Sequence, residues 1–559
     1  MSLLSILGIG TRGMMASQVA MDVTGQNISN ADVEGYSRKR LNQTTDYRYD
    51  SAFGQMGMGA EVINIERMRN TFIDEQIRRQ NMEVGYFDEV STTFNRVESI
   101  FNEPSDKGLL SYMDDFFNAW QNLANNPSDI AARTMVKTSG EVLTDVFRNL
   151  SGELSDLRQQ KNEEIPIRVD RINQIALQIY NLNQEIGAVE IGNQNANDSR
   201  DQRDMLLKEL SQLIDITTSE NAMGQINVNA GGSILVSPVF VQKLETTTST
   251  RTLADGTTIK SIGVRFADSK LPFLPQGGQL RGLMDGRDIY IPEYMKKLDE
   301  MAVTLVQKIN EFHSAGYNLE GYSGIDFFEP NVTGASDIKI SASILSSVQN
   351  IAASSAGQTQ VGVQNTSAAG NHNFGIDPIQ LYRDPVMTPP VNARNLIHGT
   401  LTIRTPSVVL QEGVDYHVDY VNGTFQMLHA GYDTQDLTID FQYRTGGYKG
   451  PGDNSNALEI AKLRSNLTMN PDTLGQPTST FTEYFSSVVG RLGLNTTQAK
   501  SNLETRQFLV QQYEAQQDAV SGVSLDEEMA NLIRYQHTYA AAARLITTTN
   551  EMLDTLLNL

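Results

Sequence analysis

Both ends of this 559-residue chain carry apolar stripes at helical spacing, and that pairing limits what can lie between them. Near the start, Leu7, Met14, Met21 and Ile28 recur every seven residues, with Leu3, Gly10, Ser17 and Thr24 on the neighbouring line. Near the end, Leu525, Leu532, Tyr539, Ile546 and Leu553 repeat at the same interval, flanked by Met529, Tyr535, Ala542 and Leu556. A seven-residue repeat puts each set on one face of a helix, the seam of a coiled coil. An ordinary intramolecular helix pair satisfies this pattern as well as an assembly does. The N-terminal helix, however, is short and has small residues on its second line, so it buries little apolar area per turn. Such a helix is marginal in water on its own. The expectation is that both ends stay unordered in a lone chain and become ordered among copies of it.

Between the ends the periodicity changes several times. Residues 2–29 read as a helix closed by Asn27-Ile28-Ser29-Asn30, followed by a turn at Gly35 and an extended stretch to 65. Helical spacing returns from Glu66 to Asn102, stops at Pro104, and resumes from Ser105 to Asn126 and from about 128 to 190. Pro166 lies inside that last segment and should kink or interrupt it, because it lacks a donor and its ring clashes with the preceding turn. Another helix covers Asp198–Leu213, and one opened by Pro292 runs to Phe312. Residues 214–278 and 330–453 alternate like strands, the second carrying an Asn422-Gly423 hairpin signal. From Ala457 onward the chain is mostly helical. The pattern predicts an α+β multidomain protein of nested layers. Residues 1–60 and 505–559 form a terminal helical layer, and 61–213, 279–329 and 454–504 a helical bundle. A small β domain at 214–278 and an outer β domain at 330–453 are inserted.

Composition excludes whole classes of function. The formal charge of −22 argues against nucleic acid, which rewards clustered basic residues, and against adsorption to anionic membranes. With no cysteine, disulfides and thiolate chemistry are ruled out. No apolar run reaches the length a membrane helix requires, so no membrane insertion is expected. The apolar stretch Met1–Gly10 lacks a leading positive charge, so a secretory signal is not expected either. His313, His372, His398, His417, His429 and His537 are scattered and read as surface or core residues rather than metal ligands. Acid pairs such as Asp114-Asp115 and Glu527-Glu528 read as solvated helix faces. Ser524 with Glu527 fits a capping box instead. Neither a catalytic residue nor a cofactor or metal site is expected.

The block Asn27-Ile28-Ser29-Asn30-Ala31-Asp32-Val33-Glu34-Gly35-Tyr36-Ser37-Arg38 resembles the N-terminal signature of the bacterial flagellar rod, hook and hook-associated proteins. Ser521-Gly522-Val523-Ser524-Leu525-Asp526-Glu527-Glu528, with Asn531-Leu532 and Tyr535-Gln536, resembles the matching C-terminal end. Asp201-Gln202-Arg203-Asp204 with Leu206-Leu207 is similar to an internal helix of the hook–filament junction members. The segment Thr11-Arg12-Gly13-Met14 departs from the pattern, since relatives often carry an apolar S-G-L there. The resemblance implies a homo-oligomeric structural protein of the extracellular flagellum, sited between hook and filament. Before export by the flagellar type III apparatus it would be cytoplasmic. The implied partners are the hook protein, the second junction protein and a cytoplasmic export chaperone on the C-terminal helix. Asn27, Asn30, Gly35 and Tyr36 join the stripe residues as the expected assembly interface. A hook or rod subunit is the nearest rival, although its body should be mostly β. A secreted adhesin or enzyme carried in 330–453 is the rival from another class.

Overall fold

The computed structural model describes residues 3–45, 48–51, 54–57, 59–192, 194–252, 258–355, 358–366, 379–384, 391–392, 396, 400–412, 415–419, 424–428, 436–445, 449–471 and 475–557. Helix α1 (Leu3–Ser29) leads into an antiparallel strand pair, Lys39–Thr45 with Ala60–Arg67. Helix α2 (Thr71–Phe101) is bounded on both sides by asparagine. Asn70 accepts from the Phe72 N–H at its start, and Asn102 adopts the left-handed conformation, with φ of 48°, at its end. Helices α3 (Leu109–Asn125), α4 (Ile130–Glu190) and α5 (Asn197–Leu213) follow. After a β segment come α6 (Gly278–Asp285) and α7 (Ile291–Ala315), then α8 (Ala342–Ser346). Helices α9 (Ser455–Lys462), α10 (Phe481–Ser521) and α11 (Leu525–Leu557) complete the chain.

Among the described residues, three apolar cores organise these elements. The large one gathers the second half of α2, α3, the first half of α4, α7, α9 and the start of α10 around the fully buried Trp120 and Phe116. His313 belongs to this core. Its Nδ1 bonds the Ile325 carbonyl at 2.6 Å and its Nε2 accepts from the Ala352 N–H at 2.9 Å. Burial, with Arg133 nearby, pulls its pKa from the ordinary 6.5 down to about 4. In the second core, Ile165–Ile179 of α4 meets α5, α6 and two sheets. One sheet is three-stranded (Thr217–Glu220, Ile226–Ala230, Ser233–Val236) and the other is the pair Leu244–Thr252 with Thr258–Phe266. A third, smaller core lies among strands such as Thr402–Arg404, Tyr416–Asp419, Thr424–Met427 and Leu437–Thr445.

Helix-rich α+β architecture agrees with the reading of the sequence, but three local expectations do not hold. Pro166 does not interrupt α4, which runs as one helix of 61 residues. Ala335, Ile338, Ile340, Ile344, Ile351 and Ala353 pack in the large core, so the stretch from 330 to 355 belongs to the helical body rather than to the outer β domain. At α11 the Glu527 N–H reaches Ser524 Oγ only at 3.5 Å, while the Glu527 carboxylate pairs with Arg38 instead of closing a capping box. The reciprocal box is found at α10, between Thr480 and Glu483. The Asn422-Gly423 turn lies outside the described residues.

Candidate functional site: a hub joining both chain ends

Helices α1 and α11 pack against one another in antiparallel fashion. Asn27 meets Glu528 at one end, and Gly10 meets Ile546 and Ala542 at the other. Small residues make this possible. A Cβ added at Gly10 would stand 2.8 Å from Ile546 Cγ1, and one at Gly13 3.6 Å from Ala542 Cβ. The buried face of α1 is Gly10, Ala16, Ser17, Ala20, Val23, Thr24 and Asn27. Leu7, Met14, Met21 and Ile28, expected on the assembly interface, are only partly buried on the flank of this contact. On α11 the partly buried residues Leu532, Tyr535, Tyr539, Ile546 and Leu553 lie along the contact. Leu525, Met529 and Leu556 remain 47%, 51% and 61% exposed. The expectation of unordered ends also differs from the structure, in which both ends are continuous helices held by each other. Close backbone approach across glycine and alanine, together with the polar root described next, supplies what a wide apolar stripe does not.

At the root of this pair, groups 501 residues apart in sequence come within hydrogen-bond distance. The Asn27 amide is almost fully used. Its Oδ1 accepts from Tyr36 Oη and from the Lys39 N–H, both at 2.9 Å. Its Nδ2 donates to the Lys39 carbonyl at 2.9 Å and to Glu528 Oε2 at 3.1 Å. Arg38 straddles the break between α10 and α11. Its backbone N–H donates to the Ser521 carbonyl at 2.8 Å, and its guanidinium pairs with Glu527 at 3.0 Å and Glu528 at 2.6 Å. The Glu528 residue is 2% exposed, so its charge depends on these partners.

The internal helix α5 closes the hub from the other side. Asp201 accepts from Ser37 Oγ at 2.7 Å, from the Ser37 N–H at 3.1 Å and from Arg67 at 2.9 Å. Asp204 takes Arg67 at 2.7 Å, and Lys39 reaches Asp198 at 2.5 Å. Burial alone would raise the Asp204 pKa, but Arg67, Arg69 and Arg203 outweigh it and hold the carboxyl below its usual range. Burial, with Asp198, Asp201 and Glu528 nearby, pushes the Tyr36 hydroxyl up to about 12, so it stays a neutral donor. Gly35 has φ of +82°, and a Cβ there would lie 2.3 Å from Met205 Sδ. Glycine is therefore required twice over, for the left-handed turn and for contact with α5. Asn30 folds its amide back onto the Gln26 carbonyl at 2.9 Å and closes α1 rather than joining the hub.

Sequence reasoning identified Asn27, Gly35 and Tyr36 but missed Asp198, Asp201, Asp204, Arg67, Arg69, Lys39 and Glu528 as one network. The available signal was the concentration of acids at the start of α5 against the bases at 38–40 and 67–69. Beside the hub a cleft of about 1600 Å³ opens between residues 31–36, α5 and the end of α10, with Val33, Met205 and Val520 among its walls.

The family described as flagellar hook-associated protein FlgK helical domain matches residues 94–328. The flagellar basal body rod FlgEFG protein C-terminal family matches residues 516–559, and the flagella basal body rod protein family matches 7–36. Flagellar hook-associated protein 1 of Bacillus subtilis is 27% identical, over 99% of this chain and 98% of the relative. That of Salmonella typhimurium is 28% identical over 99% and 100%. The flagellar hook junction protein FlgK from Burkholderia pseudomallei shares the fold, with a TM-score of 0.55 at 18% identity over 79% of this chain and all of that one. With its ends matching the rod families and nearly its whole length similar to flagellar hook-associated protein 1 of several bacteria, the chain resembles the flagellar hook–filament junction proteins.

Proposed function

We infer that this chain is a structural subunit of the bacterial flagellum, joining hook to filament through axial stacking of its terminal helices. The observation that carries the reading is the hub. Three stretches far apart in sequence, 27–39, 198–204 and 527–528, lock together to fix the root of the α1–α11 rod. The rod closes on its small residues, so large apolar side chains stay outside, among them Met15, Met529, Ile533, Met552 and Leu556. Side chains arrayed in this way along both helices require covering surfaces, which copies of the same rod supply.

The finer assignments follow from this reading. The rods form the inner axial layer, the helical body a second layer, and the outer β core projects away from the axis. The hook protein below and the second junction protein above are the axial neighbours, and an export chaperone shields the apolar face of α11 before secretion by the type III route. No helix among the described residues is long and apolar enough to cross a membrane. The test is electron microscopy of flagella from a deletion strain. Hooks present without attached filaments support the assignment, and normal filaments overturn it.

A further inference from the structure

We propose that the subunit contains a mechanical joint at the level of Pro166, where three helices cross a polar layer between the large and second cores. Its purpose rests on the junction reading above, but its existence does not. With 61 residues at about 1.5 Å each, α4 is roughly 90 Å long. It serves two apolar cores that have no residue in common: Ala132 to Leu157 line the large one, and Ile165 to Ile179 the second. The α6–α7 helix changes allegiance at the same level, with Leu283 in the second core and Ile291 in the large one.

Between these boundaries the buried contacts are polar. Lys161 and Glu89 form a buried ion pair linking α4 to α2. Asn162 Oδ1 accepts from the Ile262 N–H at 2.8 Å and from Arg287 at 2.9 Å. Arg287 also donates to the Ile262 carbonyl at 2.5 Å and to the Asp288 carboxylate at 2.6 Å. Arg158 donates to the Arg287 carbonyl at 3.0 Å. Tyr86 donates to Asp285 at 3.2 Å and shares a hydrogen bond with Tyr290 at 3.0 Å.

A polar layer can fix register as readily as it permits movement, so the backbone decides between the two. Pro166 has no N–H, and the carbonyl of Asn162, one turn earlier, therefore loses its helical donor at the layer. Between α6 and α7 the turn Gly286–Tyr290 is π-helical, with the Ile291 N–H bonded to the Gly286 carbonyl. In α2, Gly85 stands one turn before Glu89, and a helical glycine costs roughly 1 kcal/mol against alanine. Its absent Cβ lets the Gln212 carbonyl approach to 2.1 Å of where that atom would be. All three helices thus carry a weakened stretch of backbone near one level, and the two apolar cores share no residue there. Helix α10 crosses the same level against α2 without a break and limits how far the joint can open. Tilting here lets a subunit follow a curved hook on one side and a straighter filament on the other while both cores stay intact.

The lack of native cysteine allows a clean test. Spin labels are placed on the full chain through Ser128→Cys, at the far end of α4, and Ser269→Cys, in the β region of the second core, and their separation is measured by pulsed electron resonance. The lever from residue 128 to the layer is about 50 Å, so a tilt of about 10° moves the first label by roughly 9 Å. The expected result is a broad or two-peaked distribution that narrows at least about twofold in Pro166→Ala, which restores the missing donor without endangering the fold. Glu89→Leu with Lys161→Met, which joins the cores by apolar contact, should narrow it in the same way. A native distribution already as narrow as that of Pro166→Ala overturns the joint, as does a broad one that neither variant changes. Filament attachment in the deletion strain is scored separately, so failure of the junction reading cannot be confused with failure of the joint.

Discussion

Asn27→Ala is the most direct test of the hub. Asn27 is 1% exposed and its amide makes four hydrogen bonds, two of them to the backbone of Lys39, a residue itself only 7% exposed. Removing the amide strands the Lys39 N–H and carbonyl, at about 1–3 kcal/mol each for buried groups, and takes one partner from Glu528. Water can re-solvate the partly buried Tyr36 hydroxyl, so that loss is small. The sum is roughly 4 kcal/mol, about a thousandfold in the opening equilibrium of the rod's root. The large core shares none of these groups, so the damage should be local. Hydrogen exchange read by mass spectrometry should show protection lost in α1, α11 and the strand Lys39–Thr45, with Phe116, Trp120 and their neighbours unchanged. A double-mutant cycle with Glu528→Ala should return a coupling of at least about 1 kcal/mol. Unaltered protection along α11, or a uniform loss that includes the large core, would show that the hub does not anchor the terminal helices.

Gly35→Ala forces a side chain into φ of +82° and into Met205. The expected loss of about 1–3 kcal/mol should be only partly recovered by adding Met205→Ala, because that relieves the clash but not the backbone strain. Denaturant melts of the two variants check this, and full recovery would show that the turn itself is unstrained. His313 gives a pH dependence of definite sign. Its folded pKa is depressed to about 4, so the unfolded chain takes up the proton first. Stability contributed by the neutral ring is complete above about 6.5 and is lost as pH falls toward 4. Between pH 6.5 and 5, above most carboxylates, the loss is about 2 kcal/mol at 1.36 kcal/mol per unit. Chemical denaturation across that window should slope in the native chain and flatten in His313→Gln, whatever the variant's absolute stability; equal slopes would discount the histidine.

What could be read from the sequence follows from how local each signal is. Asn70, Asn102 and Asp129 mark helix ends through bonds to their own neighbours, so α2 and α4 were legible to within a few residues. The hub was not. Asp201 and Asp204 look like a solvated helix face until folding sets Arg67 and Arg69 opposite them across more than 130 residues. Pro166 was over-read because proline's penalty is local, whereas α4 is held by two cores on either side of it. The stretch 335–353 was misassigned for a related reason. Its short segments alternate like strands, yet Ile338 and Ile344 complete a helical core.

The terminal rod shows what a periodic apolar stripe does and does not mark, and it leads to a prediction. Apolar periodicity identifies where large side chains recur, but two helices approach closest where side chains are smallest. Here Gly10 meets Ile546 and Ala542, Gly13 meets Ala542, and the large stripe of Leu7, Met14 and Met21 is displaced to the flank, where it is only partly buried. Closure within one chain and stacking between chains are therefore not alternatives, because they use different faces. Gly10→Leu separates the two roles. A Cβ there already presses on Ile546 Cγ1 at 2.8 Å, so a full leucine must wedge the distal half of α1 from α11 while leaving the hub, nearly three helix turns beyond Ser17, untouched. The large core should keep its melting behaviour within about 0.5 kcal/mol, as for a change remote from it. Strains carrying Gly10→Leu should nonetheless bear hooks without filaments, because the rods no longer present their outer stripes in register. Normal filaments on such hooks would mean that the small-residue seam does not set the geometry of stacking.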